Sequence, residues 1–377
     1  MVMLYLDHAA TAQPRAPEVA SAMTAALAAA NPGRSGHQAS LDAARIVFRA
    51  RAALAGHFGV EDPRRVVFTS GCTAAINTVL FGILRPGDRV VTTAMEHNAV
   101  ARPLRALEAG RGVTVEVIGT DAEGRVDSEA FGRAATGAAL AVVNHVSNVS
   151  GTIQDLAGLR DATLGVPLLV DAAQGAGHLP FDVDGLGIDY LAVSGHKGLR
   201  GPQGIGVLVL SPTAPLPEPL IHGGTGSRSE QDVQPGFLPD IYEAGTQNLP
   251  GIAGLAAALA VFEETGYAAR RIREEEISLR FLEGLRALPR VRVLGPAEPR
   301  DRVAVFGLDL DGLDPGTAAL RLEREHGILG RAGLQCAPWA HRALGTFPGG
   351  TLRLSFGPEN GTDAVDAALT ALGDICR

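Results

Sequence analysis

The run Tyr190-Leu191-Ala192-Val193-Ser194-Gly195-His196-Lys197-Gly198 decides how this chain is organised. Its first four residues are apolar on both alternating faces, which reads as a short strand covered from both sides in a sheet wrapped by helices. Polar residues and glycines follow at once, where an open α/β sheet places its site, beyond the carboxyl ends of its strands. Lys197 is also the only lysine: the chain has 33 basic residues, and the remaining 32 are arginine. A guanidinium stays protonated and is not a nucleophile, so arginine cannot form an imine. A deprotonated lysine amine can. The ordinary reading is a stray surface lysine left by compositional drift. Its setting, between Ser194 and His196 and the glycines Gly198, Gly201, Gly204 and Gly206, points instead to a catalytic lysine.

Working outward, 377 residues exceed one small core, so a large unit plus a smaller one is expected. Apolar residues make up 46% and aromatics 5%, with 47 glycines, which fits a soluble α/β protein rather than a disordered chain. The net charge of −8 gives no electrostatic case for nucleic acid or an anionic membrane. Arg270, Arg271 and Arg273 read as the solvated face of a helix. The N-terminal Met1–Asp7 stretch lacks a basic flank and reads as a strand, not a signal peptide. No uninterrupted apolar run approaches the ~18 residues of a membrane span. Three cysteines (Cys72, Cys336 and Cys376) are too few for a disulfide framework, and the ten histidines lack metal-ligand spacing. A cytoplasmic location is the resulting expectation.

Along the chain, residues 15–30 and 38–58 pattern as Ala-rich helices separated by the breaker at 31–36. Strands are then expected at 65–68, 90–92, 113–118, 140–144, 168–171 and 190–193, alternating with helices at 73–84 and 98–110. The expected architecture is α/β, a mostly parallel sheet wrapped by helices, followed by a smaller C-terminal α/β domain. Helices at 251–264 and 268–288, then strands at 291–294 and 304–310, lead into that second unit. The expected division is 1–258 and 259–377, with the first dozen residues packing on the smaller unit.

Several polar residues fall just past these strands. Phe68-Thr69-Ser70-Gly71-Cys72-Thr73 joins a strand to a helix start, whose free N–H groups suit a phosphate, although Ser, Gly and Thr there are also ordinary caps. Asp171 ends an apolar strand, with Gln174 following. A carboxylate there needs a partner, and a protonated pyridine nitrogen would serve; the plain alternative is a cap for a helix opening at Ala172. His97 follows the strand at 90–92. Structural histidines are common, but its ring is suited to stack on a cofactor and to exchange protons near neutral pH. Asn148 is placed to hydrogen-bond a ring oxygen or a carboxylate. In Arg331-Ala332-Gly333-Leu334-Gln335-Cys336-Ala337-Pro338, Cys336 lies in a loop as a candidate thiolate rather than a small core residue. Arg353 alternates within the strand-like Thr351–Ser355, where its fork suits a carboxylate.

With these stretches assembled, the chain resembles the class V aminotransferases, fold-type-I pyridoxal-phosphate enzymes, and within them the cysteine desulfurases and selenocysteine lyases. The resemblance runs from Tyr5-Leu6-Asp7-His8-Ala9-Ala10-Thr11 to Arg353-Leu354-Ser355-Phe356-Gly357. Its most specific part is Asp171-Ala172-Ala173-Gln174 followed by Ser194-Gly195-His196-Lys197. Glu243-Ala244-Gly245-Thr246 and the Cys336 loop point to the desulfurase group. The resemblance implies pyridoxal 5′-phosphate held covalently by Lys197, which would also shuttle the Cα proton. It implies Asp171 on the pyridine nitrogen, His97 stacked on the ring, and Asn148 with Gln174 on the ring oxygen. The Cys72 backbone, Thr73, Ser194 and His196 would hold the phosphate. Thr246 would reach the phosphate of a neighbouring subunit, hence a homodimer with shared sites. Arg353, with Asn148, would bind the substrate carboxylate.

Cys336 would attack the substrate sulfur, converting L-cysteine to L-alanine and keeping the sulfur as a persulfide for an acceptor protein, as in iron–sulfur cluster assembly. Selenocysteine lyase, or a class V C–S lyase, epimerase or transaminase, is the alternative activity, and a cofactor-free binding module the alternative from another class. Four places depart from the family pattern: Leu329-Gly330 is glycine-softened beside the cysteine loop, Pro358-Glu359-Asn360 replaces a more aromatic ending, and two more bear on the site. Cys72 replaces a small residue, its thiol being incidental on this reading, and Gln335 stands where related sequences often carry histidine.

Overall fold

The computed structural model describes residues 3–33 and 36–377. Met1, Val2, Arg34 and Ser35, parts of the expected N-terminal strand and of the 31–36 breaker, lie outside the described residues. The strands are, in order, β1 (Leu4–Tyr5), β2 (Val66–Thr69), β3 (Arg89–Thr93), β4 (Thr114–Ile118), β5 (Leu140–Asn144), β6 (Leu168–Asp171), β7 (Tyr190–Ser194), β8 (Gly206–Leu210), β9 (Val291–Val293), β10 (Val305–Leu310), β11 (Ile328–Leu329), β12 (Arg331–Gly333) and β13 (Thr351–Ser355).

Seven of these form one sheet in the order β2-β8-β7-β6-β5-β3-β4. The pairs from β7 through β4 are parallel, and β8 is antiparallel to both its neighbours. Its position was not anticipated, because the glycines before it read as loop. Physically, residues 195–205 are too few for the crossover of a dozen or more residues that a parallel return requires, so the chain folds straight back. Both faces are covered, as the apolar runs demand. Leu191 and Val193 point into one buried cluster, while Tyr190 and Ala192 point into another. Because β2 runs in the same sense as β7, the carboxyl ends of β2, β3, β5, β6 and β7 open onto a single edge.

The sheet β12-β13-β10-β9 is antiparallel, and β1 pairs in parallel with β11. Around these strands, Leu6, Phe281, Phe306 and Phe356 share a separate cluster. The N-terminal strand thus threads its Leu6 into the core built by the last third of the chain. The two helical stretches expected after residue 250 are both present within the helical segment Leu249–Leu285, divided by a break at Gly266, whose φ of 71° is open to glycine at little cost. Leu255 and Leu259 before the break pack in the first cluster, and Phe281 and Leu285 after it in the last. By length and composition this helix could cross a membrane, but the break divides it and both halves contribute to packed cores.

Arg270, Arg271 and Arg273 are not a uniformly solvated face. Arg271 donates to Arg302 O at 2.7 Å, to Pro299 O at 2.9 Å and to Glu274 at 2.9 Å. Arg270 lies 4.1 Å from the centre of the Phe262 ring, and only Arg273 is exposed. Carbonyls in the loop ahead of β10 need donors, and the helix supplies them.

Candidate active site

Just past β7 the chain turns sharply around Lys197. Arg200 N donates to Lys197 O at 2.8 Å and Gly201 N to Gly195 O at 2.7 Å. A Cβ on Gly198 would stand 2.3 Å from Ala176 O, so glycine is what lets this turn close against the turn that follows β6. That contact places Lys197 beside Asp171. Burial pushes the Lys197 ammonium below its usual range, with Asp171 and Cys72 opposing the shift and Arg353 adding to it.

Asp171 is buried, and its Oδ1 accepts from Ala173 N at 2.9 Å and from the Cys72 thiol at 3.4 Å. Neither bond uses Oδ2. No helix opens at Ala172: residues 173–175 are turn, and Gly175 and Gly177 close against His145 and Gly198. The Cys72 thiol is therefore not incidental. It is buried against the Asp171 carboxylate, and its pKa is pushed up, first by that burial. The helix Cys72–Ile83 begins after Gly71 with no side-chain cap, leaving its first-turn N–H groups directed at the strand edge.

His97 caps the helix Asn98–Arg111, its Nδ1 accepting from Ala99 N at 3.0 Å, which leaves the ring proton on Nε2. Burial, reinforced by Lys197, lowers its pKa to about 4. The ring is thus neutral at neutral pH, a form that suits the expected stacking, whereas the expected proton exchange near neutral pH is disfavoured. Asn148 Nδ2 donates to Gln335 O at 2.7 Å, while its buried Oδ1 has no partner among the described residues. Gln174 Nε2 donates to Ala9 O at 2.8 Å. Each of these two amide nitrogens thus has a main-chain carbonyl as partner. Ser194 is buried at the end of β7, His196 Nδ1 lies 3.0 Å from Thr11 Oγ1, and Thr73 is exposed in the first turn of its helix.

Arg353 reaches the same edge from β13. It is buried, donates through Nη1 to Asn148 O at 3.1 Å and pairs through Nη2 with Asp7 at 2.5 Å, and its Nε has no partner among the described residues. Cys336 is exposed on a two-residue turn in which Gln335 (φ 42°) and Cys336 (φ 57°) are both left-handed. Cys336 O accepts from Asn98 N at 2.8 Å, next to His97. Thr246 does not join this group within one chain. It is exposed and lines a cavity with Arg51, Thr225 and Glu243 instead.

Sequence reading overlooked two acids. Asp7, the Arg353 partner, was legible only as a carboxylate closing an apolar N-terminal strand. Glu96 is fully buried beside His97, its Oε1 accepting from Thr93 Oγ1 at 2.7 Å and Asn144 N at 2.8 Å, its Oε2 without a partner among the described residues. Burial first, and then Asp171, raises its pKa to about 8.

The arrangement fits a phosphorylated pyridine. An uncapped helix N-terminus suits the phosphate, Asp171 Oδ2 a protonated ring nitrogen, and a lysine amine of lowered pKa the covalent anchor. The orphaned Asn148 Oδ1 and Arg353 Nε are polar atoms that a bound molecule would satisfy.

The sequence matches the family described as aminotransferase class-V over residues 4–368. A probable cysteine desulfurase of Pseudomonas aeruginosa is 37% identical, over 98% of this chain and 93% of its own. One from Pyrococcus abyssi is 33% identical, over 92% and 88%. Among solved structures, the apo cysteine desulfurase of Thermococcus onnurineus superposes with a TM-score of 0.93 at 32% identity, covering 99% of this chain and 94% of that one. An Escherichia coli cysteine desulfurase in an S-sulfonic acid form gives 0.86 at 29%, with the same coverage.

Proposed function

The chain belongs to the aminotransferase class-V family, and on that premise we propose that it is a pyridoxal 5′-phosphate-dependent cysteine desulfurase, converting L-cysteine to L-alanine and holding the sulfur on Cys336. When bound, the cofactor supplies an electron sink that makes the bonds around the substrate Cα and Cβ labile. The residues of this chain supply the rest. Lys197 holds the cofactor and, with an amine of lowered pKa, carries the substrate Cα proton on Nζ. Asp171 Oδ2 would accept from a protonated ring nitrogen, the neutral His97 ring would stack on the ring, and Asn148 and Gln174 would meet the ring hydroxyl. The first turn after Gly71, with Thr73, Ser194 and His196, holds the phosphate. The unpartnered Nε of Arg353 takes the substrate carboxylate.

Cys336 Sγ, as thiolate, attacks the substrate sulfur. An S–S bond forms as the substrate Cβ–S bond breaks, the electron pair passes to carbon, and a proton there completes alanine. The thiol sulfur is oxidised as the carbon is reduced, so no outside oxidant is needed. A sulfur-acceptor protein, such as one serving iron–sulfur cluster assembly, then takes the outer sulfur. The exposure of Thr246 away from Lys197 supports a homodimer in which Thr246 serves the other subunit's phosphate. The reading places the enzyme in the cytoplasm.

The observation that carries this reading is the tie between Cys336 and the strand-edge group. Its carbonyl accepts from Asn98 beside His97, and the preceding carbonyl accepts from Asn148. The test is alanine and sulfide release from L-cysteine with a thiol reductant, repeated on Cys336→Ala. Equal turnover by that variant overturns the reading.

A further inference from the structure

Two consecutive non-glycine residues in the left-handed region are uncommon, and they persist only where their surroundings over-determine them. Gln335 and Cys336 form such a pair, and their side chains go opposite ways: Cys336 is exposed, whereas Gln335 is 6% exposed. The Gln335 amide is held on both of its atoms. Its Oε1 accepts from His341 Nε2 at 2.9 Å and from Thr351 Oγ1 at 3.3 Å, and its Nε2 donates to Thr351 O at 3.0 Å. His341 is fully buried and its Nδ1 lies 2.7 Å from Thr346 Oγ1. One tautomer satisfies the whole chain. The Thr346 hydroxyl donates to Nδ1, and the Nε2 proton goes to Gln335.

The clamp has a direction. Thr351 lies two residues before Arg353 on β13, so both side chains leave the same face of that strand. On the backbone side, Gln335 O and Cys336 O accept from Asn148 and Asn98. The turn is therefore pinned between the strand that carries Arg353 and the segments that carry His97 and Asn148.

We propose that Gln335, clamped by His341, Thr346 and Thr351, is a positioning residue that sets the place of the Cys336 thiol relative to a substrate whose carboxylate is held by Arg353. The proposal rests on Cys336 being the sulfur-accepting nucleophile. Gln335 touches no reacting atom. It acts through the backbone of the turn, adding a two-sided side-chain grip to the two main-chain bonds that hold the left-handed pair. The residue type matters: a side chain of this length that is both donor and acceptor reaches Thr351 O and His341 Nε2 at once, which methionine, of similar shape, cannot.

The test uses the holoenzyme and three variants: Gln335→Met, Thr346→Val (which removes the donor to His341 Nδ1 from the far end) and Cys336→Ala. The readouts are cofactor absorbance, KM for L-cysteine, and the single-turnover rate of persulfide formation on Cys336. A misplaced reacting atom costs roughly 10- to 100-fold in rate, so Gln335→Met is expected to lose that much in the persulfide step with KM within about 2-fold and absorbance unchanged. Thr346→Val is expected to lose less, in the same step. A Gln335→Met enzyme with wild-type persulfide formation overturns the positioning role. So does a loss shared equally by KM and cofactor absorbance, which marks general disruption. If Cys336→Ala turns over as fast as the parent, the desulfurase reading itself falls. If Cys336→Ala is inactive while both other variants are normal, only the role of Gln335 falls.

Discussion

Arg353 and Asp7 stand 346 residues apart in sequence and form an ion pair of 2.5 Å, with the guanidinium side chain 3% exposed and the carboxylate 19% exposed. Asp7 also lies 3.9 Å from Arg331, at the start of the strand leading into the Cys336 turn. The N-terminal segment thus supplies the counter-charge for the residue assigned to the substrate carboxylate. Removing one partner of a buried pair strands the other charge. Asp7→Ala is expected to lower unfolding stability by roughly 1–3 kcal/mol, the range discounted because Asp7 is partly solvated. Urea denaturation checks this, and an unchanged midpoint would mean that the pair contributes nothing net.

Lys197 is the position where arginine cannot substitute. Lys197→Ala and Lys197→Arg are both expected to lose the visible absorbance of the bound cofactor. Activity should fall by at least about 100-fold, the lower range for removing a general acid–base group. An arginine variant that kept its colour and turnover would dismiss the covalent role of this amine.

Glu96 carries a pH prediction. Its folded pKa of about 8 lies above its ordinary value of 4.5. Between those values the folded protein binds the proton and the unfolded chain does not. The stability it contributes is therefore present below pH 4.5 and lost as pH rises through 8. Glu96→Gln keeps the acceptor for Thr93 and Asn144 without the charge. It is expected to be more stable than the parent at pH 8, by on the order of 2–4 kcal/mol, and closer to it at pH 5. Parallel denaturation curves at the two pH values, with a constant difference, would contradict the assignment.

His145 runs the opposite way. It is buried against Phe181, edge to face with centroids 4.9 Å apart, and burial lowers its pKa to about 3 from 6.5. Between those values the unfolded chain takes up the proton first, so stability is full above pH 6.5 and lost as pH falls towards 3. His97 and His341, each lowered to about 4 with burial the largest cause, add to the same acid limb. His145→Phe is expected to shallow the slope of stability against pH between 6.5 and 4 by about one proton's worth. Denaturation at several pH values measures that slope, and an unaltered slope would remove His145 from the account.

The sheet was legible where local pattern and burial agree. The apolar runs of β5, β6 and β7 are buried on both faces, and their polar continuations lie on one edge, as period and composition require. β8 was not legible, because its antiparallel return depends on connection length rather than on its own residues. The Arg270–Arg273 stretch misled for a related reason. Charge on a helix reads as solvation, yet Arg271 serves carbonyls of the loop before β10, a segment distant in sequence. Among the residues gathered at the strand edge, Lys197, Asp171 and Asn148 stood out in the sequence because each ends or follows a strong strand signal. The hydrogen bond of the Cys72 thiol to Asp171 was missed, since nothing near residue 72 announces a carboxylate 99 positions away.

The sequence by itself determined most of the alternation of strands and helices, the chemistry offered at the strand ends it marked, and the singular lysine. These follow from periodicity and residue type, which are local properties. Tertiary structure alone decided which polar atoms are already committed and which are left over. Asp7 is paired with Arg353, Gln335 is locked by His341 and Thr351, and Asn148 Oδ1 and Arg353 Nε are without partners. Hydrogen bonding and burial depend on neighbours brought together across the whole chain, and local pattern carries no record of them.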